Sequence, residues 1–446
     1  MTKTSGFLTL SIALLMVLLP LPFGGVPRWS HTTLQLVVFS LLVASLVQGE
    51  EDGWRRVRRP ALGLAALGLY GVLQSFAWPS AVVGLVSPEH LRVAELVGEQ
   101  PGSAALSLAP GASRFYGLTW IGLGTLMLIA SRLPRRPSAR VMLLGGAIAS
   151  LTFQILYGAR MWLSRTGTIW GLDRGSADRF RGTFINPDHF ALYMEIMLAV
   201  LLAWAWWSIR RAGWMRTWDR RILLIAPPVI AWLTAFTVLA FSGSRAGLLA
   251  AVVATVAQGL ILAMRQRRLH VGAAGILAPA LGLVAVAWIG LQAGLGRWFG
   301  TSAAELTWNA RHDAWLAGLE LWQLFPVTGV GMAAFREGFP LVQPVGLDGA
   351  WLHIHNDWLE IVITLGVVGA LLFVWAIGSL LLALGGAMAD AERSLDQAVL
   401  LAAMGAVIAT MVHSLLDFGL TMPANAALLC ILCGLALSLP PGRDAA

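Results

Sequence analysis

The chain has 446 residues, of which 57% are hydrophobic and 12% charged, with a mean hydropathy of +0.74; this excludes an ordinary set of soluble domains and indicates an all-α, polytopic membrane protein. The net charge of +8 comes from 31 basic residues, 30 Arg and one Lys. They flank apolar runs, so they are read as membrane orientation signals, and no nucleic-acid partner is expected.

A bilayer core takes about 20 apolar residues per helix. Twelve spans are predicted, near 7–23, 32–48, 61–77, 115–131, 141–157, 188–208, 222–241, 246–264, 271–291, 359–384, 398–416 and 425–439. The first 25 residues have no A-x-A-like cleavage site before Gly24-Gly25, so a retained first span is expected rather than a removed signal peptide. The short connectors 50–60, 132–140, 209–221 and 265–270 carry four, four, five and three Arg, which assigns them to the cytoplasmic side. With both termini also inside, that side holds 19 of the 31 basic residues. The other side carries the longer loops, 78–114, 158–187 and 292–358, and any chemistry is expected there.

Within the 292–358 loop, Thr307 to Leu324 is predicted as an amphipathic helix with Arg311, Trp315, Leu319 and Trp322 on one stripe, lying along the outer membrane boundary. Phe325-Pro326 ends it and Gly329-Val330-Gly331 turns the chain. Cys430 and Cys433, inside an apolar run, read as small core residues rather than as a disulfide framework or zinc knuckle. No internal repeat and no paired broken helices of the transporter kind stand out.

Four outer clusters carry polar chemistry. Phe241 to Gly247 closes one span and opens the next; Ser242 and Ser244 suit a helix cap, and Arg245 in the first turn offers a planar fork to an anion. A snorkelling Arg at a tight turn is the alternative. A serine nucleophile elbow is not supported, because Ser242 stands where that motif needs Gly. Arg179 and Arg181 precede Asn186 as N-cap and Pro187 at the first helical position, with Asp188 and His189 following and Glu195 deeper in the span. Trp351 to Glu360 brings His353 and His355 to a helix start, with Asn356, Asp357 and Glu360 as orienting partners for a proton-transferring imidazole. Zinc at His353 and His355 lacks a third ligand at a recognised spacing, so no metal is expected, nor any other cofactor. His413 and Asp417, four residues apart, are expected to pair on one helix face.

In order along the chain, Arg181-Gly182-Thr183-Phe184, Asn186-Pro187-Asp188-His189, Ser242-Gly243-Ser244-Arg245-Ala246-Gly247, Ala310-Arg311-His312-Asp313-Ala314-Trp315, His355-Asn356-Asp357-Trp358-Leu359-Glu360 and Gly366-Val367-Val368-Gly369 resemble the O-antigen ligase and O-antigen polymerase superfamily of bacterial membrane proteins. The family often has Asn-Pro-Asn-His where this chain has Asp188. The resemblance implies a division into N-terminal spans, 1–157, and a catalytic region, 158–446. It also implies a GT-C-like, metal-independent inverting glycosyltransferase in the inner membrane with a periplasmic site. The donor would be an undecaprenyl-diphosphate-linked glycan and the acceptor a lipid A core or another glycan. Arg245 and Arg311 would act on the diphosphate and His355 as base. Arg179, Arg181, Asn186, His189, Ser242, Ser244 and Asn356 would line the substrate. An O-antigen ligase is the leading expectation, with a polysaccharide polymerase or a protein O-glycosylating relative as alternatives. From another class, a lipid or polysaccharide transporter would show charged helices at mid-membrane, a description that only Glu195 fits. A membrane scaffold would leave the outer Arg and His clusters unexplained.

Overall fold

A computed structural model of the chain describes residues 3–46, 54–96, 98, 102–133, 136–174, 178–266 and 301–438. The chain begins with α1 (Lys3–Leu18), α2 (Arg28–Leu46) and α3 (Trp54–Gln74), followed by the short α4 (Ser80–Val86) and α5 (Pro88–Leu96). Next come α6 (Pro110–Ser131), α7 (Pro137–Leu163), α8 (Pro187–Ala212), α9 (Trp218–Phe241) and α10 (Arg245–Gln266). The chain then runs through α11 (Thr301–Leu324), the single-turn α12 (Phe335–Gly338), α13 (Asp357–Asp390), α14 (Ser394–His413) and α15 (Pro423–Ala436). Among the described residues, seven helices are long and apolar enough to cross a membrane, and the protein is an all-α, multi-pass membrane protein. Each predicted span coincides with a helix except 271–291, which lies outside the described residues.

The only strands among the described residues are two short ribbons. β1 (Ala77–Pro79) pairs antiparallel with β2 (Ser103–Ala105), Trp78 facing Ala104, and β3 (Thr168–Ile169) pairs with β4 (Leu172–Asp173).

α8 is the interior helix: 83% of its apolar window is buried, against 28 to 56% for the other long apolar helices. It packs on α9, α10 and α14, while α3 lies against α6 and α13. Both cysteines are buried on α15, as core residues. The Arg-rich connectors share one end of the bundle. Arg56 pairs with Asp390, Arg140 with Asp396 at 2.6 Å, and Arg265 donates to the carbonyls of Ala389 and Ala391 at 2.9 and 2.6 Å. These bonds fasten the α13–α14 connector to the helices around it.

α11 packs against α13 with a face that differs from the predicted stripe. Ala314, Ala317, Leu321 and Phe325 are buried, Trp315 and Trp322 are half-buried, and Leu319 is exposed. The reason is close approach. A Cβ at Gly318 would collide with Ile354, so small residues form the contact and the large ones flank it.

α13 is broken at Gly366 (φ 61°, ψ −164°). The loop after α11 fills the break: Val330 and Gly331 N–H donate to the carbonyls of Ile363 and Thr364 at 3.0 and 2.9 Å, and Val367 N–H to Pro326 at 2.9 Å. Backbone groups that a kink would leave unpaired are thus satisfied by a neighbouring loop, as a low-dielectric setting requires.

Two outcomes are expected. Gly366→Ala places a side chain at positive φ against Val327 O, so thermal denaturation in detergent should show a loss of more than about 2 kcal/mol; an unchanged midpoint would mean that the break is not fixed. With Cys430 and Cys433 replaced by Ala, cysteines at the exposed Arg58 and Val345 should be labelled from opposite sides of the membrane. Labelling of both from one side would overturn the arrangement of the spans.

Candidate active site

The end of the bundle opposite the Arg-rich connectors gathers the four polar clusters. α8 starts as its sequence dictates: Asn186 Oδ1 accepts from the Asp188 amide at 2.8 Å and Pro187 occupies the first turn. α10 starts in the same manner, with Ser244 Oγ accepting from the Gly247 amide at 3.1 Å, after a turn at Gly243 (φ 66°). Ser242 and Ser244 are buried, and Ser242 donates to the Leu239 carbonyl at 2.6 Å. Their hydroxyls build the turn, and Arg245 is left exposed in the first turn of α10.

Arg179 bridges the two helix starts. Its guanidinium meets Asp188 through two bonds of 2.6 and 3.1 Å, and its Nε donates to the Ser242 carbonyl at 2.5 Å. Arg181 donates to the carbonyls of Arg174, Ile185 and Gly167 at 2.8, 3.2 and 3.0 Å, which ties down the β3–β4 ribbon. Burial lowers the pKa of Arg181, with Asp173 opposing. Both arginines thus direct donors at protein acceptors. Arg311, on α11, donates to the Leu416 carbonyl at 3.0 Å, one residue from Asp417.

The first turn of α13 is docked on the connector between α14 and α15. Asp357 N–H donates to the carbonyls of Ser414 and Asp417 at 2.9 and 3.2 Å, and its buried carboxylate accepts from Ser414 Oγ at 2.7 Å and Leu420 N–H at 3.2 Å. Asn356 caps the helix through the Leu359 amide at 3.0 Å. Neither side chain orients the His355 ring. That partner is Asp417, whose Oδ1 lies 3.0 Å from His355 Nδ1 and also accepts from Phe418 N–H at 3.0 Å. Glu360 instead holds His353, Nδ1 to Oε1 at 2.6 Å, and accepts from Ile354 N–H at 3.1 Å.

Phe418 gathers the imidazoles. His353 stacks on it at 4.2 Å and 19°, while His355 and His189 approach edge-on at 4.8 and 4.5 Å. His355 has a left-handed backbone (φ 56°), uncommon for a residue with a side chain and a form of strain that concentrates at functional sites. This turn, neither extended nor helical, sends the two histidines to separate carboxylates.

The expected His413–Asp417 pair does not form. α14 ends at His413, so Asp417 lies beyond the helix, and His413 Nδ1 meets Glu195 Oε1 at 2.7 Å instead. Burial would raise the pKa of Asp417, but the His355 hydrogen bond and the electrostatic pull of the neighbouring His189, His413 and His355 rings hold it well below the usual carboxylate range. Burial likewise opposes charge on His353, and the Glu360 carboxylate outweighs it and raises the pKa. A crevice of about 230 Å³ lies at the Arg-rich end between residues such as Val141, Leu144, Trp204, Trp207 and Val399, remote from these groups.

A family model described as O-antigen ligase matches residues 229–374. That stretch includes Arg245, Arg311 and His355; the segments around Arg179 and Asp417 lie outside it. The exopolysaccharide production protein ExoQ of Rhizobium meliloti (strain 1021) is 26% identical over 281 residues, which is 60% of this chain and 58% of the relative. The aligned part thus spans less than two thirds of that relative. Both findings bear out the resemblance to the O-antigen ligase and polymerase superfamily.

The raised pKa of His353 has a pH signature. Its pairing with Glu360 contributes stability that is full below the ordinary histidine value of 6.5 and is lost as pH rises through the higher folded value. His353→Gln should therefore melt below the wild type at about pH 6, with the gap narrowing by about pH 9. A gap independent of pH would show that the pair does not titrate on folding. Asp417 has the opposite sign: its contribution is present above the ordinary 3.8 and is lost only as pH falls through its depressed value.

Proposed function

We propose that this chain is a membrane glycosyltransferase that moves a glycan from a polyprenyl diphosphate to an acceptor hydroxyl at the outer membrane face. The observation that carries the reading is the His355–Asp417 dyad, with Arg311 hydrogen-bonded to the carbonyl next to Asp417. With Nδ1–H donated to Asp417, His355 keeps the Nε2 lone pair for a substrate proton, and Asp417 stabilises the imidazolium that forms.

In the reaction the acceptor oxygen attacks the anomeric carbon as its proton passes to His355 Nε2. The bond from that carbon to the diphosphate oxygen breaks, and its electron pair leaves with the diphosphate. Arg245 and Arg311 balance the charge developing on that group. Attack from the side opposite the diphosphate inverts the anomeric centre. Arg179 and Arg181 hold the segments that present Arg245 and α8, while His189 packs behind the base on Phe418. Asp188 supports this division of labour, because its carboxylate engages Arg179 through two hydrogen bonds.

An undecaprenyl diphosphate donor, an inner-membrane location and a periplasmic site complete the proposal, which takes residues 158–446 as the catalytic region behind N-terminal spans. Transfer to lipid A core is the leading reading. The exopolysaccharide relative favours a second one, elongation of a polysaccharide on its lipid carrier. Deletion in the native host separates them: long chains accumulate on the carrier if a ligase is missing, single repeats if a polymerase is.

In a purified assay with lipid-linked donor and acceptor, His355→Ala should lose about a hundredfold or more, as should Asp417→Asn. Arg245→Lys, which keeps charge but loses the fork, should fall by about tenfold or more. His355→Ala with more than about a tenth of wild-type turnover would remove the base from this scheme.

A further inference from the structure

Behind the dyad lies a second carboxylate–imidazole pair that the transfer scheme does not use. Glu195 of α8 and His413 of α14 are both fully buried and meet at 2.7 Å. Glu195 Oε2, His413 Nε2 and Asp417 Oδ2 are buried without a protein hydrogen-bond partner. A pair retained for stability alone is expected to satisfy its remaining polar atoms, since each orphan costs about 1–3 kcal/mol.

The pair touches both halves of the site. On one side, a Cβ at Gly247 would stand 3.0 Å from Glu195 Oε1 and 3.1 Å from Ser244 Oγ, so the turn of α10 that carries Arg245 packs directly on the carboxylate. On the other, the His413 carbonyl accepts from the Asp417 amide at 3.1 Å, and the charge of His413 acts on the Asp417 carboxylate. The charged and titratable groups facing the pair are Asp188 and His189 from α8 and Asp417 from the α14–α15 connector, while α10 meets it with Gly247. His353 and His355 follow across Phe418, and Arg311 across Leu416; α15 contributes the uncharged Asn425, bonded to the His189 carbonyl at 3.0 Å.

We propose that Glu195 is a positioning residue for transfer: through His413 it sets the charge around Asp417 and thereby the strength of His355 as a base. The proposal rests on His355 being that base. With the buried pair held as carboxylate and imidazolium, His413 presents positive charge to Asp417. Asp417 then divides its negative charge between His413 and His355. With Glu195→Gln the imidazolium at His413 loses its counter-ion, and Asp417 acts on His355 alone. Protonated His355 is favoured, and its free-base form is reached only at higher pH.

The expected result is a change in pH dependence rather than a uniform loss. In the purified transfer assay, the acid limb of kcat/KM against pH should move upward in Glu195→Gln by about half to one pH unit. Activity should be reduced at about pH 6.5 and return towards wild type at about pH 9. His413→Gln should shift the limb in the same direction, and carries the test if Glu195→Gln fails to accumulate. The double variant should be no worse than either single one, as expected of residues acting as a unit. A merely structural pair would lower the melting temperature and yield but leave the limb in place, and that result overturns the proposal. His355→Ala is measured alongside: if it stays active, the base assignment fails, whereas an inactive His355→Ala with an unshifted Glu195→Gln limb fails the proposal alone.

Discussion

The site depends on one docking contact, the first turn of α13 against the connector between α14 and α15. Asp357 makes it twice over, donating its amide to two connector carbonyls and accepting a hydroxyl and an amide on its carboxylate. A free helix N-terminus and a helix C-terminus each present unpaired backbone groups, and here the two ends satisfy each other. Because His355 precedes Asp357 by two residues and Asp417 lies in the same connector, fixing the helix ends also fixes the dyad. The histidine gains orientation from the fold rather than from its neighbours in sequence.

Several of the polar groups at this end of the bundle hold the scaffold. Arg179 and Arg181 are engaged with a carboxylate and with carbonyls, and Ser242 and Ser244 with the backbone of their own turn. Arg245 stands exposed at a helix start, where backbone amides and guanidinium favour an anion together. Polar residues near a membrane surface are often read as binding groups, yet several here do the structural work that backbone amides and carbonyls demand.

Much of the fold was legible because it follows from local rules. Apolar runs of bilayer length marked the helices, and Asn186-Pro187 and Ser242 to Arg245 marked two helix starts at their observed positions. The family resemblance rested on short pieces placed at such starts. The pairing of side chains was not legible. Asp417 lies 62 residues from His355, and Glu195 lies 218 from His413; no periodicity reports contacts of that range. The i, i+4 rule suggested His413 with Asp417, and it failed because α14 stops at His413. The packed face of α11 escapes the sequence pattern for a related reason: the glycine and alanines that permit close approach carry less hydrophobic signal than the tryptophans beside them.

The break in α13 has a mechanical consequence. Its long inner section is anchored where Arg56 and Arg265 grip the residues around Asp390, and it runs through the bilayer as a stiff shaft. At Gly366 that shaft ends, and the outer turn of the helix is referenced instead to the loop after α11. A change in bilayer thickness tilts a long apolar helix; with the joint at Gly366, such tilt is taken up below the joint. The height of His355 along the bundle is then set by contacts with the α14–α15 connector and the loop after α11, whatever the tilt of the section below.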